Sequence, residues 1–425
     1  MAGRLLLCFT AALAAFGVSA LPADAKAKAD GFYLGVPVVN PGIKNAIPHR
    51  YIVVYNNTFD DEAVEAHEAA VIKTIAKRNI NKRSPLTGKT LSTRVQTFKI
   101  GGWRAMSLEA DDLLVNEIYA AKEVAYIEQD QVYTIAARRS QARAPSGLAR
   151  LSSSQAGSSA LYTFDDSAGE GITVFVVDTG IRVTHQQFEG RASWGGNFID
   201  NVNQDEQGHG THVAGTVGGR DVGVAKKVKL VAVKVLGADG GGSTTSVIAG
   251  MDFVARNVTA SGLRGKAVMN MSLGGGFSNA INSAVNRVEQ AGVVPVVAAG
   301  NEATDASLTS PGSAERAITV GAIDQRTDRI ASFSNFGPIV DIFAPGVRVQ
   351  SAIIDSNTAL GPLSGTSMAS PHVAGLAAYL MALEGLDNAQ AVSNRIKQLA
   401  RQAGGRVRGG PRNTTTLIAN NGFLN

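Results

Sequence analysis

Five apolar runs constrain this chain more than any other feature: ITVFVV (172–177), KLVAVKVL (229–236), KAVMNMSL (266–273), VVPVVAA (293–299) and AITVGAI (317–323). They are near-continuous rather than alternating, the pattern of strands buried on both faces of a parallel sheet. Parallel neighbours need long crossovers, and STTSVIAGMDFVARNV, NAINSAVNRVEQAG and TSMASPHVAGLAAYLMALEG carry the helical spacing to supply them. The expectation for residues 146–425 is therefore an α/β domain: a doubly wound, mostly parallel sheet with helices on both faces. A 425-residue chain with 44% hydrophobic residues can build such a core, and 47 glycines suit tight turns and close helix–sheet packing.

The amino-terminal part follows a different pattern. RYIVVYN predicts a strand, DDEAVEAHEAAVIKTIAKR a helix, VQTFKIGGWRAMSLEA a hairpin, DDLLVNEIYAA a second helix and VAYIEQDQVYTI a closing strand. This β-α-β-β-α-β order, over 49–135, predicts a small α+β, ferredoxin-like module. It is preceded by a Pro-rich spacer (21–48) and followed by AARRSQARAPSG, basic and without apolar periodicity, which predicts an exposed, cleavable linker over 136–145.

Residues 1–20, MAGRLLLCFTAALAAFGVSA, carry Arg4, an apolar centre and small residues Val18 and Ala20 at cleavage spacing, the pattern of a secretory signal. Secretion to the extracellular space is expected, without a membrane anchor. The only cysteine, Cys8, lies in that segment, so the exported protein would hold no disulfide. A net charge of +5 is spread among acids with no basic block interleaved with aromatics, which argues against nucleic acid as a partner. Sequons begin at Asn56, Asn257, Asn270 and Asn413, and Asn270 falls inside a buried-strand pattern.

In an open α/β sheet, ligands are handled beyond the carboxyl ends of the strands. Asp178 ends ITVFVV there, Ser272, Leu273 and Gly274 end KAVMNM, and Ala298, Ala299, Gly300 and Asn301 end the VVPVV run. His209, in GHGTH, and Ser367, in GTSMASPH, head two small-residue helices. Alone, an Asp after a strand is a turn residue and a Ser before a helix is a cap. Together they form a chemical set: a serine hydroxyl becomes nucleophilic when an imidazole takes its proton, and the imidazole needs a carboxylate to fix its tautomer. Gly208, Gly210, Gly365 and Ala369 are small enough to leave room for a substrate backbone, and Pro371 is expected in the first helical turn, where its missing N–H costs nothing.

VVDTGI, GHGTHVAGTV, SLGGG, AAGN and GTSMASPHVAGLAAYL resemble the signature blocks of the subtilisin-like serine proteases, in particular their proteinase K-like branch. The resemblance runs from GLAR (147–150) nearly to the carboxyl terminus, and the 49–135 module resembles the inhibitory prodomain of such enzymes. It implies an endopeptidase, expected as a monomer, with protein and peptide substrates and its own prodomain as intramolecular inhibitor. Ser367 would be the nucleophile, His209 the base and then acid, Asp178 the orienting carboxylate and Asn301 an oxyanion donor. Gly240, Gly241 and Gly242 with Ser272, Leu273 and Gly274 would flank an extended peptide. Ala298, Ala299 and Gly300 would wall a roomy pocket without an acid, favouring apolar or aromatic residues before the cut. The resemblance also implies a structural Ca²⁺ on Asp341 and the carbonyls of Glu315 and Ala317. Val213 stands where a cysteine is common in that branch, and Ser146 where a tryptophan precedes GLAR.

Four rivals are weaker. DTG at Asp178 matches aspartic proteases, but occurs once. His209 and His212 have the i,i+3 spacing of a metal pair but no H-E-x-x-H context. A lipase would need G-x-S-x-G and the order Ser, acid, His. An inactive secreted homologue serving as a binding scaffold would be expected to lack a member of the set, and none is missing.

Overall fold

The computed structural model describes residues 31–424 apart from 34–35, 42, 44–45, 85, 133–137 and 158–159. The expected signal segment, part of the spacer and part of the cleavage region lie outside the described residues. The chain separates into two compact units, Met1–Ile135 and Ala136–Asn425.

In the first unit a four-stranded antiparallel sheet runs in the order Gln96–Ile100, Trp103–Glu109, Ala46–Tyr55, Val124–Gln131. The helices Asp61–Arg78 and Asp112–Ala120 start on aspartate caps, Asp60 and Asp111, whose carboxylates accept the N–H of Ala63 and Leu114. Val64, Val71, Ile75, Leu114, Val115 and Ile118 bury the helices against Tyr51, Val53, Met106, Leu108 and Ile127 of the sheet.

The second unit is built on parallel strands β1 (Thr173–Asp178), β2 (Ala192–Asn197), β3 (Lys229–Lys234), β4 (Ala267–Met271), β5 (Val293–Ala298), β6 (Ile318–Asp324) and β7 (Ile342–Pro345). Their order is β2-β3-β1-β4-β5-β6, with β7 also beside β6 and the short strand Arg329–Ile330 joining antiparallel. The helices that matter for the site are α1 (His209–Gly218), α2 (Thr244–Ala260), α3 (Asn279–Gln290), α4 (Thr366–Glu384) and α5 (Ala389–Ala403).

The continuous apolar runs have a simple physical meaning here. Along β1, Val174 and Val176 enter a core made with α1, α4 and α5, whereas Phe175 and Val177 enter a second core made with α2 and α3. Successive side chains point to opposite faces, so a strand covered on both sides must be apolar at every position. Helix α4 is apolar all round because it is buried almost throughout, from Met368 to Met381.

Two expectations are corrected. Arg138–Gln141, expected in an exposed linker, is mostly exposed but forms a strand paired antiparallel with Tyr162–Asp165 and anchored by an Arg139–Asp166 ion pair at 2.6 Å. Its backbone groups find partners within the second unit, which an irregular linker would leave to water. Pro371 lies in the second turn of α4, not the first, because the helix begins at Thr366.

Candidate active site

Asp178 ends β1, an interior strand of the sheet between β3 and β4, and is fully buried. His209 opens α1. The two meet through Asp178 Oδ1 and His209 Nδ1 at 2.8 Å. Asp178 Oδ1 also accepts the N–H of Thr179, while Oδ2 has no hydrogen-bond partner among the described residues. Burial disfavours the imidazolium of His209, but the charge of Asp178, its hydrogen bond and the nearby charge of Asp205 outweigh it and hold the pKa above the ordinary 6.5.

The start of α1 is fixed by Asp205. Its Oδ1 accepts from Thr179 Oγ1 at 2.8 Å and Gly208 N at 2.8 Å, and its Oδ2 from Thr211 N at 2.9 Å and Thr211 Oγ1 at 2.5 Å. Thr179 Oγ1 in turn accepts the N–H of Gly210, and Gln207 Oε1 that of His209. Gly208 caps α1 at φ 95, a backbone shape that glycine adopts without penalty. Gly210 is small for a different reason than expected. A Cβ there would lie 2.1 Å from Gly180 O, so the residue permits packing of α1 on the loop after β1, not passage of a substrate. Ala369 is likewise fully buried.

Ser367 is the second residue of α4, where backbone N–H groups have no intrahelical acceptor. A residue at 371 with an N–H would bond to the carbonyl of Ser367; proline cannot, and Ser272 Oγ donates to that carbonyl instead, at 2.8 Å. Ser367 Oγ returns a hydrogen bond to Ser272 O at 3.2 Å. Asn270 Nδ2 donates to Ser272 Oγ, and Ser370 Oγ to Asn270 Oδ1, so the end of β4 is bolted to the first turn of α4. That bolt also keeps the Asn270 sequon fully buried.

Asn301 is held by Thr366, whose N–H and hydroxyl both donate to Asn301 Oδ1, at 2.8 and 2.9 Å. This leaves Nδ2 as the group it can offer. A Cβ placed on Gly365 would lie 3.6 Å from Ser367 N and 3.7 Å from Asn301 Nδ2, so two donors converge on one small space beside Gly365. Such a pair can stabilise an oxygen that gains negative charge.

A cleft of ≈ 490 Å³ opens beside His209. Gly240, Gly241 and Gly242 line one side and Ser272, Leu273 and Gly274 another, with Leu236, Val247 and Ile281 adding apolar surface. Ala298, Ala299 and Gly300 do not line it: Ala298 and Ala299 are buried at the end of β5. Sequence reasoning missed Asp205, Thr366 and the three apolar residues. Asp205 joins Thr179, 26 residues back, to the start of α1, and Thr366 holds Asn301, 65 residues back; the only local hint was that Asp205 precedes the GHGTH block and Thr366 lies inside GTSMAS.

A sequence description of the subtilase family matches residues 169–417. The chain belongs to the subtilase family. It is 45% identical to subtilisin-like protease 2 of Pseudogymnoascus destructans over 97% of this chain and 99% of that protein. It is also 45% identical to alkaline protease 1 of Aspergillus clavatus, over 84% and 87%. Among solved structures, a cold-adapted subtilisin-like serine proteinase superposes with TM-score 0.61 at 40% identity, covering 66% of this chain and 99% of that one. As a subtilase the chain is a serine endopeptidase acting on proteins or peptides. No helix among the described residues is long and apolar enough to cross a membrane.

Calcium sites are common in the family, but the donors at Asp341 do not fit one. Asp341 Oδ2 accepts the N–H of Thr319 and Oδ1 meets Lys397 Nζ at 2.5 Å. Both oxygens of Asp341 are thus engaged by the protein itself, whereas Ca²⁺ takes six to eight oxygen ligands. At Asp341, the one side chain in the expected set with the carbonyls of Glu315 and Ala317, an ammonium stands where the cation was expected.

Proposed function

We propose that the chain is the precursor of a secreted endopeptidase in which Asp178, His209 and Ser367 form the triad and Asn301 joins the N–H of Ser367 as oxyanion donor. The observation that carries this reading is the 2.8 Å contact between Asp178 Oδ1 and His209 Nδ1, on the rim where Ser367 heads α4 and Asn301, from the loop after β5, is tied to Thr366. Asp178 makes Nδ1 the donor, so Nε2 is the basic nitrogen. Ser367 Oγ turns from Ser272 O toward Nε2 as substrate enters, a tightening common on forming the Michaelis complex.

The hydroxyl oxygen then bonds to the scissile carbonyl carbon while its proton passes to Nε2. The carbonyl oxygen becomes an oxyanion between Asn301 Nδ2 and Ser367 N. Nε2 returns the proton to the departing amine as the C–N bond breaks, leaving an acyl-enzyme. Water, deprotonated by the same nitrogen, releases the acid and restores Ser367.

The peptide would lie between the 240–242 and 272–274 segments, pairing mainly by backbone. Leu236, Val247 and Ile281 favour apolar side chains along it. Residues 1–20 are proposed as the signal and 49–135 as the inhibitory prodomain. Because Arg138–Gln141 is paired within the second unit, the cut belongs at the early edge of the 137–140 range, before Arg138.

The test compares the purified enzyme with Ser367→Ala on casein, adding a serine-directed sulfonyl reagent, a chelator and pepstatin in separate arms. Loss of activity with the reagent and in Ser367→Ala, whose precursor stays uncut, is expected; activity surviving Ser367→Ala would discard the triad. Asn301→Ala should lower kcat about 10²–10³-fold, the size of the loss when an oxyanion amide is removed from a related subtilisin.

A further inference from the structure

The carboxylate at Asp341 sits where two parallel strands begin. Its residue lies just ahead of β7, and its N–H donates to Thr319 O at 2.9 Å while Thr319 N donates back to Asp341 Oδ2 at 2.9 Å. This reciprocal pair fixes the carboxylate against the start of β6 and leaves Oδ1 for a cation. Lys397 supplies it from α5, which packs on the core through Val392, Ile396, Leu399 and Ala400. Both side chains are largely covered, Lys397 26% and Asp341 21% exposed. An ammonium brings one charge and three donors on a flexible stem, enough for one carboxylate oxygen without a cage of oxygens.

We propose that Lys397 Nζ replaces a calcium ion at Asp341, so that the tie between the last long helix and the sheet is part of the chain itself. A calcium tie stabilises only in proportion to free calcium, whereas a lysine tie is present at any concentration and untouched by chelators. The role of Lys397 here is structural and does not depend on the assignment of the triad.

The test is calorimetric melting of the full chain carrying Ser367→Ala, to prevent self-digestion, in excess EDTA and in millimolar calcium. Lys397→Met keeps most of the stem and removes the charge, Lys397→Arg keeps the charge, and Asp341→Asn removes its partner. Expected results are a Tm lowered by about 2–4 °C in Lys397→Met, much less in Lys397→Arg, and little further loss when Asp341→Asn is added to Lys397→Met. Any calcium response of the parent should be the same in Asp341→Asn. A calcium-dependent rise in Tm that Asp341→Asn abolishes would overturn the proposal by making Asp341 a calcium ligand. So would a Lys397→Met protein with unchanged Tm. The calcium comparison stands even if Lys397→Met fails to fold.

Discussion

Asp178 and Asp205 are buried carboxylates on the same rim, both close to His209, and they are treated in opposite ways. Asp205 spends both oxygens on the backbone and hydroxyls of Thr179, Gly208 and Thr211. Asp178 spends one oxygen on His209 and Thr179 and leaves the other without a partner among the described residues. A carboxylate saturated by donors is a fixed strut. One left with spare charge is an electrostatic resource, costly in the resting fold and useful when a neighbouring imidazole becomes positive. The rim therefore separates holding the histidine in place from stabilising its charge.

The largest effect should come from Asp178→Asn. It keeps the shape but removes the charge and favours the wrong tautomer, so kcat should fall about 10⁴-fold, a size taken over from the same change in another serine protease. Thermal stability should hardly fall. Steady-state kinetics and melting on one preparation check both, and a large loss of Tm would break the contrast by making Asp178 a strut as well. Asp205→Asn should do the reverse. It points amide hydrogens at groups that are themselves donors, and should cost roughly 3 kcal/mol of stability by denaturant titration. Its loss of kcat per folded molecule should be far below that of Asp178→Asn.

That contrast was only half legible in the sequence. The end of a strand and a following DTG marked Asp178, and the five buried strands announced themselves by being apolar at every position. Asp205 sits in NQDEQGHG, a polar loop in which nothing distinguishes it from Glu206. Its meaning comes from Thr179 and Thr211, brought to it by folding. Strand β2 was missed because ASWGGN is only partly buried, and β7 because IFAP is short and ends in proline. Helix α5 went unassigned although its buried residues recur at helical spacing, and with it went Lys397, the group that answers Asp341. Family blocks fix what is shared; a lysine in place of an ion emerges only once folding has brought both partners together.

Two further histidines extend the contrast to smaller effects. His212, one turn along α1 from His209, is fully buried, and its Nε2 donates to the carbonyls of Val349 and Gly361 rather than to a carboxylate. His372 is buried on α4, with Nδ1 against Met368 O. Burial pushes both down to about 4, with no carboxylate partner to reverse it. Both are neutral in the folded state and take up protons on unfolding, so the stability they contribute is complete above about pH 6.5 and is lost as pH falls toward 4. The loss should be roughly 3 kcal/mol for each. Denaturant midpoints between those pH values check it, and the acid loss should shrink in His212→Gln. An unchanged slope in that variant would show that the imidazole is already protonated in the fold.

The smallest expected effect returns to His209. Its pKa is raised, so the charged form gains in the fold, and the stability from that charge is present at low pH and lost as pH rises through the folded pKa. Catalysis needs the neutral form, so activity runs the other way: kcat/KM should climb along a limb whose midpoint lies above the ordinary 6.5. Asp205 adds to the raising through charge alone, without touching the ring. Asp205→Asn should therefore shift the limb to lower pH, while Asp178→Asn, which removes the hydrogen bond's charge as well, should shift it further in whatever activity remains. A limb that stays put in folded Asp205→Asn would confine that carboxylate to its role as a strut and leave Asp178 as the source of the electrostatic effect.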